Sequence, residues 1–505
     1  MSFPFLHKGR FSNNGIAVVL LAAFVLAACA VNPAGRSSFT GLMSRAEEMR
    51  IGAEEHPKIL EQFGGVYDDA ELQAYIRRIG NELVAVSEEK GMAFTFTILN
   101  SDVVNAFALP GGYVYVTRGL LALAGTEAEI ASVLAHEIGH VTARHPAERY
   151  SQTVAASVGM SILGAIGSAY GVPGSATDMA SIGATALLRS YSREQELESD
   201  LLGMRYMTRV RYDPRGSVRF FKKMKAHTAL IDDMSGNGDA DTRGGIMATH
   251  PRTTDRIEQA IDLAARSEPA LAGAVVRIGR DPYLQNIDGM LFGDDPDEGM
   301  RRGSSFIHPG LGIRFEVPEG FQLFNTKTQV RAHARDKSVI TYDMEQTRKA
   351  KAVDDLKRYL VRDWAPRAGL KDVERITVNG MEAATGAARV RMGGRVRDLR
   401  LVAIKERWGR IHRLAFITDP DRSEVWSEGF RRTTYGFRTL GDAEKAAVAP
   451  LRVRLETVGV GDSAASLMGP VPFAGQGDNK TWFEIANGLE RDASPKPGSV
   501  VKVIR

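Results

Sequence analysis

The chain has 505 residues, 44% of them hydrophobic and 25% charged; that length suits roughly three domains of about 150 residues, and the composition excludes disorder throughout and a polytopic membrane protein. Lys and Arg number 65 against 61 Asp and Glu, for a net charge of +4, an excess too slight to argue for nucleic acid, and none is expected as a partner. One cysteine in the whole chain excludes an internal disulfide and a cysteine-built zinc cage.

His7, Lys8 and Arg10 precede an apolar run from Ile16 to Ala28 that is too short to span a bilayer and reads as a signal peptide over residues 1–28. The run ends in Leu26-Ala27-Ala28-Cys29, which resembles a bacterial lipobox. That resemblance implies that Cys29 becomes the lipid-bearing first residue, and it accounts for the lone thiol. Ala30 follows in place of an acidic residue, which in lipoproteins of this kind implies the outer membrane. The folded part is then expected in the periplasm, tethered to the membrane through its acyl chains.

After a Pro/Gly/Ser stretch from Asn32 to Ser38, Leu72, Tyr75, Ile76 and Ile79 repeat at three and four residues within a helical region from Met43 to Glu88. Strands are expected at Phe94–Leu99, Val103–Leu109 and Tyr113–Thr117, with Pro110-Gly111-Gly112 as a turn. Helices dominate to about Ala265. From Phe306 the pattern alternates, as in Ile313-Arg314-Phe315-Glu316-Val317, with turns at Gly393-Gly394 and Trp408-Gly409. This reads as an antiparallel sheet with helices near Asp354–Trp364 and Glu424–Arg432. Its arginines, Arg389, Arg391, Arg395, Arg397 and Arg400, read as one solvated face of that sheet, or as a face toward an anionic envelope surface. A boundary falls at Gly441–Pro450, and a small β-α-β-like segment closes the chain. No repeat of solenoid period is present.

His136-Glu137-Ile138-Gly139-His140 is an HExxH motif. Thr126 and Glu129 form a capping box ahead of Ile130, Val133, Leu134 and Val141, so the motif lies on a helix beginning at Thr126. One turn apart, His136 and His140 project to the same side, and Glu137 is offset to reach a water on the metal. A catalytic zinc needs a third protein ligand. His145 falls about 180° around a continuing helix, and the longer signature with a third histidine meets Pro146 instead. A second helix is expected at Ser192–Asp200, opened by Ser192 and Gln195 as a capping box and carrying Leu197, Leu201 and Met204 as its buried stripe. Glu196 and Asp200 lie one turn apart on it, suited to a ligand and to a carboxylate that accepts the spare N–H of a bound imidazole. Glu194 and Glu198 have the same spacing, so helix geometry alone does not choose, and most helix carboxylates are solvated.

The Glu-x-x-x-Asp helix after HExxH resembles the gluzincin metallopeptidases, and Asn105-Ala106-Phe107-Ala108-Leu109-Pro110-Gly111-Gly112 is similar to an element of the HtpX and CAAX-prenyl-protease family. The likeness covers about residues 45–265, with Ser199 where the family has alanine. It implies Glu196 as third ligand of one Zn2+ per chain, Asp200 as the partner behind a ligand, and pairing of extended substrate at Asn105, Ala106 and Phe107. Thr249-His250-Pro251 also resembles a family feature, a histidine that approaches the metal either to stabilise the oxyanion or to block the water site. Arg252 and Arg256 nearby either face substrate or are surface charges. Between the ligand helices, residues 153–177 are rich in Gly, Ala and Ser and read as a helical lid in preference to a membrane span.

Val460-Gly461-Asp462-Ser463, Ile485-Ala486-Asn487-Gly488-Leu489 and Pro495-Lys496-Pro497-Gly498 resemble a LysM module, with an insertion at Gly469–Lys480. LysM modules bind peptidoglycan glycan, which makes the cell wall a further expected partner. The expected class is therefore α+β. A mainly helical zincin domain with a small sheet (29–280) precedes an antiparallel α+β domain (281–445) and a LysM-like βααβ module (451–505). The expected activity is a zinc endopeptidase acting on unfolded or misassembled outer-membrane and periplasmic proteins, in envelope quality control. Two alternatives stand beside it: a hydrolase of peptidoglycan peptides, and a chaperone or adaptor with a shut zinc site.

Overall fold

The computed structural model describes residues 29–31, 37–39, 43–153, 190–235, 246, 250, 253–326, 328–345, 353–406, 409–469 and 476–505. The expected signal peptide, nearly all of the expected lid, Arg252 and half of the tail insertion lie outside the described residues. No helix among the described residues is long and apolar enough to cross a membrane.

Two capped helices open the fold. Helix α1 (Arg45–Gln62) starts where the Ser44 side chain accepts from Glu47 N, and α2 (Ala70–Val84) where Asp69 accepts from Leu72 N. The three-and-four spacing of Leu72, Ile76, Ile79 and Leu83 puts all four in the core. Strands β1 (Thr95–Leu99), β2 (Ala106–Leu109) and β3 (Tyr113–Thr117) form a sheet of order β1-β3-β2, parallel at β1/β3 and antiparallel at β3/β2. The second strand starts three residues later than expected. Val103 and Asn105 spend their backbone groups on the Thr117 hydroxyl, which donates to Val103 O and accepts from Asn105 N, so they leave the ladder.

Helix α3 (Arg118–Leu123) leads into α4 (Glu127–Thr142), in which every residue is buried. Against it lie α5 (Arg193–Arg209) and α6 (Arg215–Ser235), and α7 (Thr253–Ser267) packs on both of these. The α4/α5 approach depends on two glycines. A Cβ at Gly139 would stand 2.9 Å from Ser199 O, and one at Gly203 3.0 Å from His136 N. Any side chain at either point would push the two helices apart.

The middle region has its own core, built on Phe306, Phe315, Tyr342, Phe416 and Phe437. A seven-stranded antiparallel sheet spans it in the order Lys371–Val378, Met381–Met392, Arg395–Lys405, Ile411–Thr418, Val339–Glu345, Val330–Ala334, Phe321–Asn325, with the helix Ser423–Gly436 against it. The arginines are not one face. Arg391 pairs across the hairpin with Val396, and Met392 with Arg395. Since side chains alternate along a strand, Arg389, Arg391 and Arg400 share one side while Arg395 and Arg397 take the other. The hairpin tip extends past its neighbouring strands, so both of its sides meet solvent.

In the tail, Val453–Thr457 pairs antiparallel with Val500–Ile504, and the helices Ala464–Leu467 and Gln476–Asn487 lie between them in the chain. Leu451, Val453, Trp482, Ile485, Ala486 and Ile504 belong to the same core as α2, β1, β3 and α4. The buried Lys502 donates its ammonium to the carbonyls of Ala122, Leu123 and Ala124. It thereby answers the carbonyls that the end of α3 leaves without intrahelical partners.

Candidate metal centre

Thr126 caps α4 by accepting from Glu129 N, as its position implies, but the Glu129 carboxylate turns to Gly125 N and the Lys223 ammonium instead of closing the box. Further along the helix His136 and His140 point the same way, with their Nε2 atoms 2.9 Å apart and ring centroids 4.5 Å apart. Glu137 is fully buried, and neither of its oxygens has a hydrogen-bond partner among the described residues.

The Ser192–Gln195 capping box is complete. Of the two carboxylate pairs on α5, the close approach at Gly139 and Gly203 turns Glu196 and Asp200 toward the histidines. Glu196 Oε1 lies 3.5 Å from His140 Nε2 and its Oε2 3.6 Å from His136 Nε2. Asp200 Oδ1 is 2.8 Å from His136 Nδ1. Glu194 is exposed, whereas Glu198 is buried 3.4 Å from His145 Nε2. The expected stripe is corrected: Leu201 is 39% exposed because the inward face of α5 is the one carrying Glu196, Ser199, Asp200 and Gly203.

His250 enters from a distant part of the chain. Its Nδ1 is 2.9 Å from Glu196 Oε1 and 3.3 Å from His136 Nε2, and its Nε2 is 3.4 Å from Glu137 Oε1. Arg256 on α7 is neither a surface charge nor open to substrate. Only 2% exposed, it grips both Asp200 oxygens at 2.8 Å and places Nη1 2.7 Å from Glu196 Oε2. His136, His140, Glu196 and His250 each bring one donor atom within 4.8 Å of the others, a set that could hold a metal ion. Two imidazoles and a carboxylate are a donor set suited to zinc, and the unpaired Glu137 oxygens suit a group placed to work on a neighbouring water. A cavity of about 20 Å³ bordered by His136, Glu137, His250 and Arg256 has room for one water. A larger one of about 850 Å³ lies elsewhere, among Leu201, Arg205, Arg209 and Arg266, and touches none of these donors.

Burial and neighbouring charges act on each member of the cluster. Burial and the neighbouring His136 hold His140 well below the usual imidazole range, in its ligating neutral form. Burial would raise Glu196, but Arg256 and His250 outweigh it and keep the carboxyl well below its ordinary value. Asp200 is lowered the same way, by Arg256 and His136. For His250 burial works downward, yet Glu196 and Glu137 push it up.

The other sequence-derived positions are less open. Asn105, Ala106 and Phe107 are buried, Phe107 against Phe63 and Tyr115, although β2 remains an outer strand of its sheet. The backbone of Ile246 donates to Val104 O just before that strand. Tyr191 and Arg149 carried no sequence signal, and His145 was set aside as a ligand. Tyr191 stacks on His140 at 3.8 Å between centroids, the Arg149 guanidinium lies 3.7 Å over Tyr191, and His145 meets His140. The geometry assumed for His145 is corrected, because α4 stops at Thr142. Arg144 turns left-handed (φ 61°) and a new helix runs over 145–153. Pro146 near its start was the available signal, since proline favours the first turn.

Comparison with known proteins places a match to Peptidase family M48 on residues 70–264. The beta-barrel assembly-enhancing protease of Escherichia coli (strain K12) is 29% identical over 248 residues, 48% of each chain. That of Yersinia pestis is 31% identical over 211 residues, 40% of this chain and 41% of the relative. The mitochondrial metalloendopeptidase OMA1 of Arabidopsis thaliana is 27% identical over 215 residues, 43% and 41% respectively. The chain thus spans less than half the length of each. The helices that carry His136, His140 and Glu196 both lie within residues 70–264, the segment over which the chain matches Peptidase family M48.

Proposed function

We propose that the protein is a zinc-dependent metalloendopeptidase, with one zinc per chain. It acts on unfolded or misassembled outer-membrane and periplasmic proteins and is tethered through a lipid on Cys29. The observation that carries the metallopeptidase reading is the convergence of His136, His140 and Glu196 beside a buried Glu137 that has no hydrogen-bond partner among the described residues. The envelope role is supported by the names of the bacterial relatives and by the lipobox-like leader.

In this reading His136, His140 and Glu196 hold the ion, and Asp200 accepts the proton on His136 Nδ1, fixing that ring's tautomer. Zinc at such a site supplies Lewis acidity and a water of pKa about 7. Glu137 takes the proton of the attacking water and delivers it to the leaving amine. The outer position of β2 supports edge pairing by an extended substrate along Asn105, Ala106 and Phe107. Glu137→Gln should retain about one zinc per chain, by metal analysis, yet lose cleavage of an unfolded protein. Full residual activity would sink the assignment. Substitution of His136, His140 or Glu196 should instead lower zinc content.

A second reading, a site held shut, is favoured by one observation: His250 completes the donor cluster, and the cavity beside Glu137 is too small for a peptide. His250→Ala separates the roles, raising cleavage if the ring blocks the site and lowering it if the ring serves the oxyanion. Zinc-loaded protein that cleaves nothing in either form would point to a chaperone or adaptor. Digestion of purified sacculi in place of unfolded protein would move the substrate to peptidoglycan, the partner suggested by the LysM-like tail.

A further inference from the structure

His136 and His140 are backed differently. The outer nitrogen of His136 meets a carboxylate, Asp200, at 2.8 Å. That of His140 meets a third imidazole, with His140 Nδ1 2.8 Å from His145 Nδ1, and behind it His145 Nε2 lies 3.4 Å from Glu198 Oε2. His140 and His145 are fully buried and Glu198 nearly so.

Two ring nitrogens 2.8 Å apart make a hydrogen bond only if one carries a proton and the other does not. With Glu198 ionised and His145 neutral, the carboxylate only accepts, so the His145 proton sits on Nε2, its Nδ1 accepts, and His140 carries its proton on Nδ1. That leaves the lone pair of His140 on Nε2, the atom 3.5 Å from Glu196 and 2.9 Å from His136 Nε2. Tyr191 covers the face of the His140 ring and resists tilting, while His145 stops rotation in the ring plane. His145 lies at the opposite edge of that ring from the donor cluster and is not among the four residues that form it.

We infer that His145, oriented by Glu198, is a positioning residue that fixes the tautomer and ring direction of His140 for metal binding. The arrangement exists because Arg144 breaks the helix in a left-handed turn and folds His145 back on the motif. The inference rests on the metal reading above, and the test tells the two apart.

The measurement is the zinc dissociation constant of the full chain, by competition with a chromophoric chelator, together with the visible spectrum of the Co2+ form. His145→Leu should weaken zinc about 10- to 100-fold and alter the Co2+ spectrum. His145→Asn, whose amide oxygen can stand where Nδ1 stood, should recover most of the affinity. Glu198→Gln should cause a smaller loss in the same direction, and it carries the test if the leucine variant does not fold. Wild-type affinity in a folded His145→Leu or in Glu198→Gln would overturn the inference while leaving the metal reading intact, as would His145→Asn binding no better than His145→Leu. A wild-type chain that takes up no zinc would overturn both.

Discussion

The two ends of α4 carry buried charge in opposite conditions. At the N-terminal end the charges are answered. Glu127 accepts from Tyr75 and Tyr212 and pairs with Arg78 and Arg277, Glu129 pairs with Lys223, and Lys502 from the tail covers the last carbonyls of α3. Toward the other end, both Glu137 oxygens, His250 Nε2, the Tyr191 hydroxyl and two nitrogens of Arg149 are buried without hydrogen-bond partners among the described residues. Each such group costs about 1–3 kcal/mol, and folded proteins keep few of them. A helix anchored by saturated polar contacts at one end can support a less saturated polar cluster at the other, and that cluster is the one the proposed metal site uses.

Four experiments would break or sharpen that contrast. The largest effect is expected for Glu137→Gln, with cleavage falling about 10²- to 10⁴-fold while the urea-unfolding midpoint of the metal-free protein stays at or above wild type. A large loss of stability would show that Glu137 is structural. Next, Arg256→Met strands Asp200 and Glu196 in the core and should destabilise the chelator-treated protein by about 3–5 kcal/mol. Added zinc should restore part of this by taking over the charge of Glu196; an equal deficit with and without zinc would put Arg256 in the scaffold.

At the anchored end, Lys502→Met should cost about 2 kcal/mol by exposing the α3 carbonyls to an apolar neighbour, with zinc affinity unaltered. A fall in zinc affinity would mean that the tail reaches the site. The smallest effect is a pH dependence at Glu127. Burial would raise its pKa, but hydrogen bonds from Tyr212 and Tyr75 and the charges of Arg78 and Arg277 hold it below 4.5. A carboxylate lowered on folding stabilises above its unfolded pKa and loses that contribution as pH falls through the folded value. Glu127→Gln should therefore be less stable than wild type at pH 6, with the gap in urea midpoints narrowing as the pH falls below 4.5. A gap independent of pH would remove Glu127 from the charged anchor.

Local signals carried well where the contact lies within one element. Thr126 and Ser192 cap the helices their positions imply, and His136 and His140 align because an HExxH spacing is one helical turn. They failed where a decision depended on a remote partner. Leu201 looks like the buried face of α5 by type, yet the polar face turns inward because α4 offers histidines there and glycines let it approach. Arg256 follows His250 by six residues with no pattern to distinguish it from a surface charge. The βααβ order of the tail was readable from Val453–Thr457 through Val500–Ile504, but its burial of Trp482 and Lys502 against the peptidase domain was not.

The sequence alone determined the motif-bearing helix, its Thr126 N-cap, the shared direction of both imidazoles and the acid between them, since all follow from 3.6 residues per turn and short-range capping. Only the tertiary structure decided which α5 carboxylate meets them, that His145 and Arg256 are buried beside them, and that the tail closes over the far end. Those choices hang on contacts such as the one between Gly139 and Ser199, where two helices distant in sequence come within van der Waals reach.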